Sequence, residues 1–452
     1  MLQYKYLPAS SGRASTPRQG DFCVMQTTTA KKPFYYGWVV VLGCSIVIGA
    51  STGLITNCAG IFIKPVTESL NVSRGAFTLY NTMSSIASIC TIMLWGELFR
   101  RYPARKLMLL GSLILSACIF GYSFATKLWH FYVIGALYGC FSTTTAGLGI
   151  ATVINNWFLS RKALATGLAW AGCGVSAAIM TPIATRVVEL YGWRMGYRLM
   201  AGTGLFLYLT AILFFIRESP AQRGLLPLGA EQSAEGLKTW QPTGLTRAQT
   251  VKTPAYWAFT LGLTLVSFIG MGMTPHIIAY LTDIGYSSMY AARVFSAMMA
   301  ILVLGKVVLG RVYDRFGMKT GTIMLFSLMT LSGLVLCFAS RSPLPMVFAL
   351  VFGFANAAPT MQPPYMTGRL LGEREYSRIY GVCQVFDRLG VSLGMPVTAA
   401  IRDVTGSYIP AFVAVSVCSL LVLVLMLAAI RTSPAEIAKF DALNNAPAPA
   451  NE

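Results

Sequence analysis

Acidic side chains are scarce in this sequence. Asp and Glu number 16 against 35 Lys and Arg, and charged residues make up only 11% of the 452 positions. A soluble domain carries roughly 25% charged residues, so a globule surrounded by water is excluded. Histidine is rarer still, with His130 and His276 alone, which argues against an imidazole metal site. The ten cysteines include no C-x-x-C pair. Cys44, Cys58, Cys90, Cys118, Cys140, Cys173, Cys337, Cys383 and Cys418 fall inside apolar runs, where they read as small packing residues. No G-x-x-x-x-G-K-[ST] loop is present, so ATP does not drive the protein directly, and H-E-x-x-H is missing too. No cofactor and no enzyme activity are expected. The formal charge of +19 would suit nucleic acid, but the basic residues stand in short runs between apolar segments, without interleaved aromatics. That pattern orients a chain in a membrane.

What is abundant is apolar: 55% of the chain. About 20 apolar residues carry a helix across a bilayer. By that measure twelve crossings are predicted, over 35–63, 75–99, 106–126, 130–156, 163–190, 196–216, 254–281, 289–311, 319–340, 344–368, 377–402 and 408–430. The expected organisation is a cytoplasmic tail (1–33), a six-helix bundle (34–216), a cytoplasmic connector (217–253), a second bundle (254–431) and a cytoplasmic tail (432–452). The first tail lacks the continuous apolar core of a cleaved signal peptide. Most Lys and Arg lie in the tails, the connector and the loops leading from even to odd helices, which puts both termini on the cytoplasmic side.

The stretch Gly381–Pro396 reads as spanning, yet holds Asp387 and Arg388. A charge at bilayer depth costs at least ~2.5–3.5 kcal/mol, so such residues ordinarily face a cavity and serve function. A basic loop also leads into Gly167 with Pro182 fifteen residues on, and into Gly381 with Pro396 at the same spacing. This echo in matching halves points to duplication, with a site at the repeat interface. Gly167, Gly172 and Gly174 suit close helix packing. Pro359, Pro363 and Pro364 are expected to break the tenth helix and form a gate.

After the eighth helix the sequence reads Gly310-Arg311-Val312-Tyr313-Asp314-Arg315-Phe316-Gly317-Met318-Lys319. This resembles the G-x-x-x-D-R-x-G-x-K signature of the major facilitator superfamily, whose acidic and basic residues latch neighbouring helix ends. The first-half counterpart runs from Gly96 through Arg100, Arg101 and Pro103 to Lys106. It departs from the signature, with Arg100 at the Asp position and Pro103 at the second Gly.

Within that superfamily the chain is similar to the monocarboxylate transporter and oxalate/formate antiporter group, bacterial members included. The likeness rests on Tyr36-Gly37-Trp38-Val39-Val40, Asn156-Trp157-Phe158, Arg161-Lys162, Gly167-Leu168-Ala169, Gly192-Trp193-Arg194, Pro275-His276 and Tyr280-Leu281-Thr282-Asp283 with Gly285. The resemblance implies an all-α membrane protein of the major facilitator fold, with twelve transmembrane helices in two pseudo-symmetric six-helix bundles. It also implies a carrier of a small organic anion that works by alternating access as a monomer in a bacterial inner (plasma) membrane. A proton or a counter-anion is the coupling partner, with symport favoured over exchange. By resemblance Lys306 holds the substrate carboxylate, Asp387 supplies the opposing charge, and Lys64 receives the anion at the outer mouth. The alternative for Lys306 is to reach back to the cytoplasmic face. Of Asp387 and Arg388, about 100° apart around a helix, one is expected to face the cavity and possible pairing with Lys306 falls to Asp387. His276 is either a second proton carrier, since imidazole titrates near neutrality, or a hydrogen-bonded histidine at the membrane interface. Asn57, Tyr80, Asn81, Asn155, Asn356 and Gln362 are the polar residues expected along the path. Two other readings stand beside this one: an exporter of amphipathic drugs or metabolites, and a transporter-like sensor.

Overall fold

With no water in a bilayer core, each backbone N–H and C=O must be satisfied within the chain, and the long apolar runs therefore fold as helices. The computed structural model describes residues 35–158, 161–229, 245–372 and 376–444. The tail 1–33, residues 230–244 of the connector, residues 445–452 and the side chains at Arg100, Gly310 and Asp314 lie outside the described residues. No strand occurs among the described residues, only an isolated bridge between Phe158 and Leu228.

Among the described residues twelve long helices follow one another: α1 Gly37–Leu70, α2 Arg74–Arg101, α3 Ala104–Tyr122, α4 Leu128–Trp157, α5 Lys162–Tyr191, α6 Trp193–Phe215, α7 Pro254–Asp283, α8 Ser288–Tyr313, α9 Arg315–Cys337, α10 Leu344–Leu371, α11 Tyr376–Thr405 and α12 Ile409–Asn444. Among the described residues nine are both long and apolar enough to span a membrane, and α10, bent by 54° between Leu344–Thr360 and Tyr365–Leu371, makes a tenth. The bend falls where the prolines were expected to break the helix. The remaining two, α2 and α11, have 28 and 30 residues but are too polar for the apolar criterion. They pack on each other: Asn81 donates to the Val391 carbonyl at 3.2 Å and Thr82 to that of Ser392 at 2.7 Å. Their polar side chains are thus spent on the protein interior, which is why they fall short on apolarity alone.

The two halves repeat one packing scheme. Helix α1 lies on α5, α2 on α4 and α3 on α6; six helices later α7 lies on α11, α8 on α10 and α9 on α12. The halves meet along α5–α8, α2–α11 and α1–α7. Close approach explains particular glycines. A Cβ on Gly174 would sit 2.7 Å from Val303 and 2.9 Å from the Met299 carbonyl of α8, and one on Gly60 would collide with the Pro275 carbonyl of α7. Gly172 abuts Ser45 on α1, whereas Gly167 has nothing within 4 Å. Because the helices alternate in direction, α1 starts and α12 finishes at one end, called here the near end; the other is the far end.

Candidate functional site

Helix α1 is irregular in its middle. Gly49–Thr56 widens into a π-helical stretch and Asn57–Ala59 tightens into a 3₁₀ turn before the α-helix resumes at Gly60. Such departures recur at functional sites, because they re-aim side chains and free backbone groups. Leu54, Ile55, Thr56 and Ala59 of this stretch form one wall of a cavity of about 50 Å³, room for a few water molecules. Tyr80, Asn81, Ser84, Tyr122, Tyr138 and Tyr197 supply its polar groups, and Met271 of α7 with Met395 of α11 closes it from the second half. The aromatic rings brace one another: Tyr197 stacks on Phe62 at 3.9 Å between centroids and lies 5.3 Å from Tyr122, which is 6.0 Å from Tyr80. None of the lining residues is charged. Of these, Tyr80 and Asn81 were singled out in the sequence. Tyr122, Tyr138 and Tyr197 were not, because a tyrosine in an apolar run looks like any other core aromatic.

The membrane-depth charges are held separately. Lys306 of α8 is 6% exposed and does not reach a helix end; its Nζ donates to the Trp170 carbonyl of α5 at 3.1 Å and lies 3.8 Å from Cys173 Sγ. Asp387 of α11 accepts a short hydrogen bond from Ser267 Oγ of α7. No ion pair joins Lys306 to Asp387, contrary to the sequence expectation: Lys306 lies on the α5 side of α8, and Asp387 faces α7. Lys306 therefore has no anionic partner among the described residues. Arg388, half-buried, likewise has no hydrogen-bond or ion-pair partner among them.

The remaining polar candidates tie helices together. Asn57 Nδ2 lies 3.7 Å from Met299 Sδ on α8, and Asn356 Nδ2 donates to Thr274 on α7 at 3.4 Å. Gln362 is fully buried and donates to Tyr313 at 2.9 Å, away from the cavity. Asn155 is exposed near the end of α4 and does not line the cavity. The spacing G-x-S-x-G occurs once, at Gly390–Gly394, but inside α11, where Ser392 bonds the Leu389 carbonyl of its own helix; a nucleophile elbow needs a strand-to-helix turn.

At the far end the halves are locked by charge. Arg74, the first residue of α2 and 6% exposed, holds Asp283 of α7 through both carboxylate oxygens, at 2.6 and 2.9 Å. Lys64 of α1 approaches the same carboxylate at 3.5 Å and Arg402 of α11 at 3.6 Å. Asp403 accepts from the backbone N–H groups of Arg74 and Gly75 at 3.3 and 2.6 Å, and Tyr408 from Arg74 at 3.0 Å. His276, fully buried on α7, has Nε2 3.0 Å from the Met395 carbonyl. Of this group Lys64 and His276 were singled out from the sequence as site candidates, and Asp283 only as part of a family motif. Arg74, Arg402 and Asp403 stand at helix ends, where a charge ordinarily reads as a solvated flank.

Near-end turns carry the signature. Gly317, with φ of 81° and ψ of 168°, turns α8 into α9, a conformation only glycine adopts without strain. Arg315 and Lys319 are exposed beside it. In the first half Tyr102 and Pro103 make the equivalent turn in extended backbone, which removes the need for a second glycine. There Arg101 pairs with Glu97 of its own helix at 2.7 Å, a Cβ added at Gly96 would meet nothing within 4 Å, and Glu218 caps α3 by accepting from Ala104 N at 2.9 Å.

Comparison with known proteins agrees with this architecture. The profile of the Major Facilitator Superfamily matches residues 45–367 and 294–452. The chain is 27% identical over 393 residues to monocarboxylate transporter 13 of Rattus norvegicus, covering 84% of this chain and 85% of that protein. It is 24% identical over 404 residues to monocarboxylate transporter 12 of Homo sapiens, covering 83% and 77%. Among solved structures, the nucleoside transporter NupG superposes with a TM-score of 0.67 at 12% identity, over 86% of this chain and 99% of that one. A bacterial homologue of the human lysosomal transporter Spinster, inward-facing and unoccupied, gives 0.61 at 14% identity over 93% and 100%.

Proposed function

Taking as premise that the chain belongs to the Major Facilitator Superfamily and is a multi-pass membrane transporter, not an enzyme, we propose that it moves a small monocarboxylate or related organic anion by alternating access. One observation carries this reading: Lys306 is buried at membrane depth with no anionic partner among the described residues. An ammonium withdrawn from water is strongly disfavoured unless paired. Carbonyl and thiol dipoles from Trp170 and Cys173 only partly replace its hydration, so an incoming carboxylate gains more there than in water. The likeness to monocarboxylate transporters 12 and 13 supports the same cargo class.

In this mechanism the bundles 34–216 and 254–431, joined by the connector 217–253, rock about the interior site. The carboxylate displaces the Trp170 carbonyl from Lys306. This weakens the α5–α8 tie on one side of the membrane, and the uncharged tyrosine-lined cavity, which Lys306 does not line, is a second station on the path of the cargo. Asp387 carries the coupling proton, bound to Ser267 in both protonation states, and His276 and Arg388 complete the charge balance. Both termini face the cytoplasm, the near end is the cytoplasmic end, and the protein works as a monomer in the plasma membrane. Gly310, Asp314, Arg315, Gly317 and Lys319, with Gly96 and Arg101, shape the cytoplasmic turns that reseat in each cycle. The favoured coupling is proton symport.

A neutral amphipathic cargo is the second reading, favoured by the absence of charge among the cavity-lining residues. Uptake of labelled lactate into proteoliposomes with an alkaline interior, competed by pyruvate, formate or oxalate, separates the two. Gradient-driven, competed uptake supports the proposal, and uptake only into anion-preloaded vesicles supports exchange. No uptake by folded protein under either condition overturns the organic-anion reading.

A further inference from the structure

The lock at the far end has an uneven composition. Among the described residues, Lys64, Arg74 and Arg402 face two carboxylates, Asp283 and Asp403. Arg402 retains a buried Nε–H with no hydrogen-bond partner among the described residues. The two sides of the lock also come from different halves. Arg74 and Lys64 belong to α2 and α1, whereas Asp283, Arg402, Asp403 and Tyr408 belong to α7, α11 and the start of α12. When the far end opens, the second half keeps two acids beside one arginine. Of the groups in the lock the first half keeps two cations and no acid, its Glu68 standing exposed one helical turn beyond Lys64, and Arg74 loses both Asp283 oxygens and the Tyr408 hydroxyl at once.

The guanidinium fork of Arg74 already holds a carboxylate in the two-pronged geometry that arginine matches best. We propose that Arg74, flanked by Lys64, is a carboxylate-binding seat that the chain's own Asp283 occupies while the far end is closed, and that a free carboxylate takes the place of Asp283 when the halves part. The internal carboxylate and the external one then compete for the same donors. The far end closes only after the bound anion has left Arg74 for the interior, or back to solution, so an anion stranded at the mouth is incompatible with closure. This inference rests on the organic-anion reading for its physiological ligand, but the seat itself is defined by Arg74 and Asp283.

Hydrogen–deuterium exchange on the full chain in lipid nanodiscs tests it without requiring transport. Asp283→Asn is expected to raise exchange severalfold in the first turns of α2 and the end of α7, because the lock is released. Acetate, lactate or benzoate, added separately, should then reduce exchange at the start of α2, with chloride at equal concentration inert. The double variant Arg74→Gln/Asp283→Asn should open equally and show no response to any of the three. Unchanged exchange in Asp283→Asn overturns the proposal, as does equal protection by carboxylates in the double variant. If the carboxylates protect Asp283→Asn while wild-type protein moves none of them in proteoliposomes, the seat stands and the cargo assignment fails. Transport of lactate with no protection at Arg74 gives the reverse.

Discussion

Lys306 Nζ stands 3.1 Å from the main-chain oxygen of Trp170, a cation from the second half resting on a carbonyl of the first. The contact crosses the interface along which the proposed rocking takes place, and its acceptor is a dipole where a charge would bind better. Substitution there therefore tests binding and rocking together.

Lys306→Ala is expected to reduce carboxylate uptake more than about tenfold, equivalent to over ~1.4 kcal/mol, because the charge that receives the anion is gone. Stability should hold or rise, since an unpaired buried charge has been removed. Thermal unfolding monitored beside uptake checks both. Lys306→Arg should retain part of the activity, and wild-type uptake by Lys306→Ala would refute the assignment.

Asp387→Asn removes the proposed proton carrier but keeps a hydrogen-bonding partner for Ser267. Accumulation driven by a pH gradient should fall more than about tenfold, while exchange of preloaded anion persists. Ser267→Ala should have a smaller effect on the same ratio. If Asp387→Asn loses exchange and gradient-driven uptake in parallel, Asp387 acts in binding or folding and not in coupling.

Gly60 meets the Pro275 carbonyl where α1 crosses α7, with no space for a side chain. Gly60→Ala should destabilise the far-end-closed arrangement by about 1–3 kcal/mol, the usual penalty of overpacking. Faster amide exchange near Asp283 is the expected signature. Gly96→Ala, where an added Cβ would meet nothing within 4 Å inside α2, is the control: it should gain up to about 0.5–1 kcal/mol of helix stability and leave exchange near Asp283 no faster.

The hydroxyls of the tyrosine-lined cavity test whether it holds cargo. Removing one hydroxyl from a site that hydrogen-bonds cargo costs ~0.5–1.5 kcal/mol, up to about a tenfold rise in half-saturation. Tyr80→Phe and Tyr197→Phe should therefore weaken hydroxylated carboxylates such as lactate more than acetate. Equal changes for both would show that the cavity only spaces the helices.

The sequence by itself determined the class of fold. Apolar runs near the length of a bilayer crossing, an interrupted tenth helix and the Gly317 turn are local properties, readable because each depends on a few neighbouring residues. It also marked Asp387, Arg388 and Lys306 as costly charges, since the expense of burial attaches to the residue type. What only the tertiary structure decided is which groups meet. Lys306 rests on α5 and not on Asp387, and Asp387 turns to Ser267. Four tyrosines from α2, α3, α4 and α6 share one cavity, and Arg74 and Asp283, some 209 residues apart, close the far end. Such pairings depend on helix rotation and on which helices the fold makes adjacent. Those are set by packing across the whole bundle and leave no trace in any single stretch of chain.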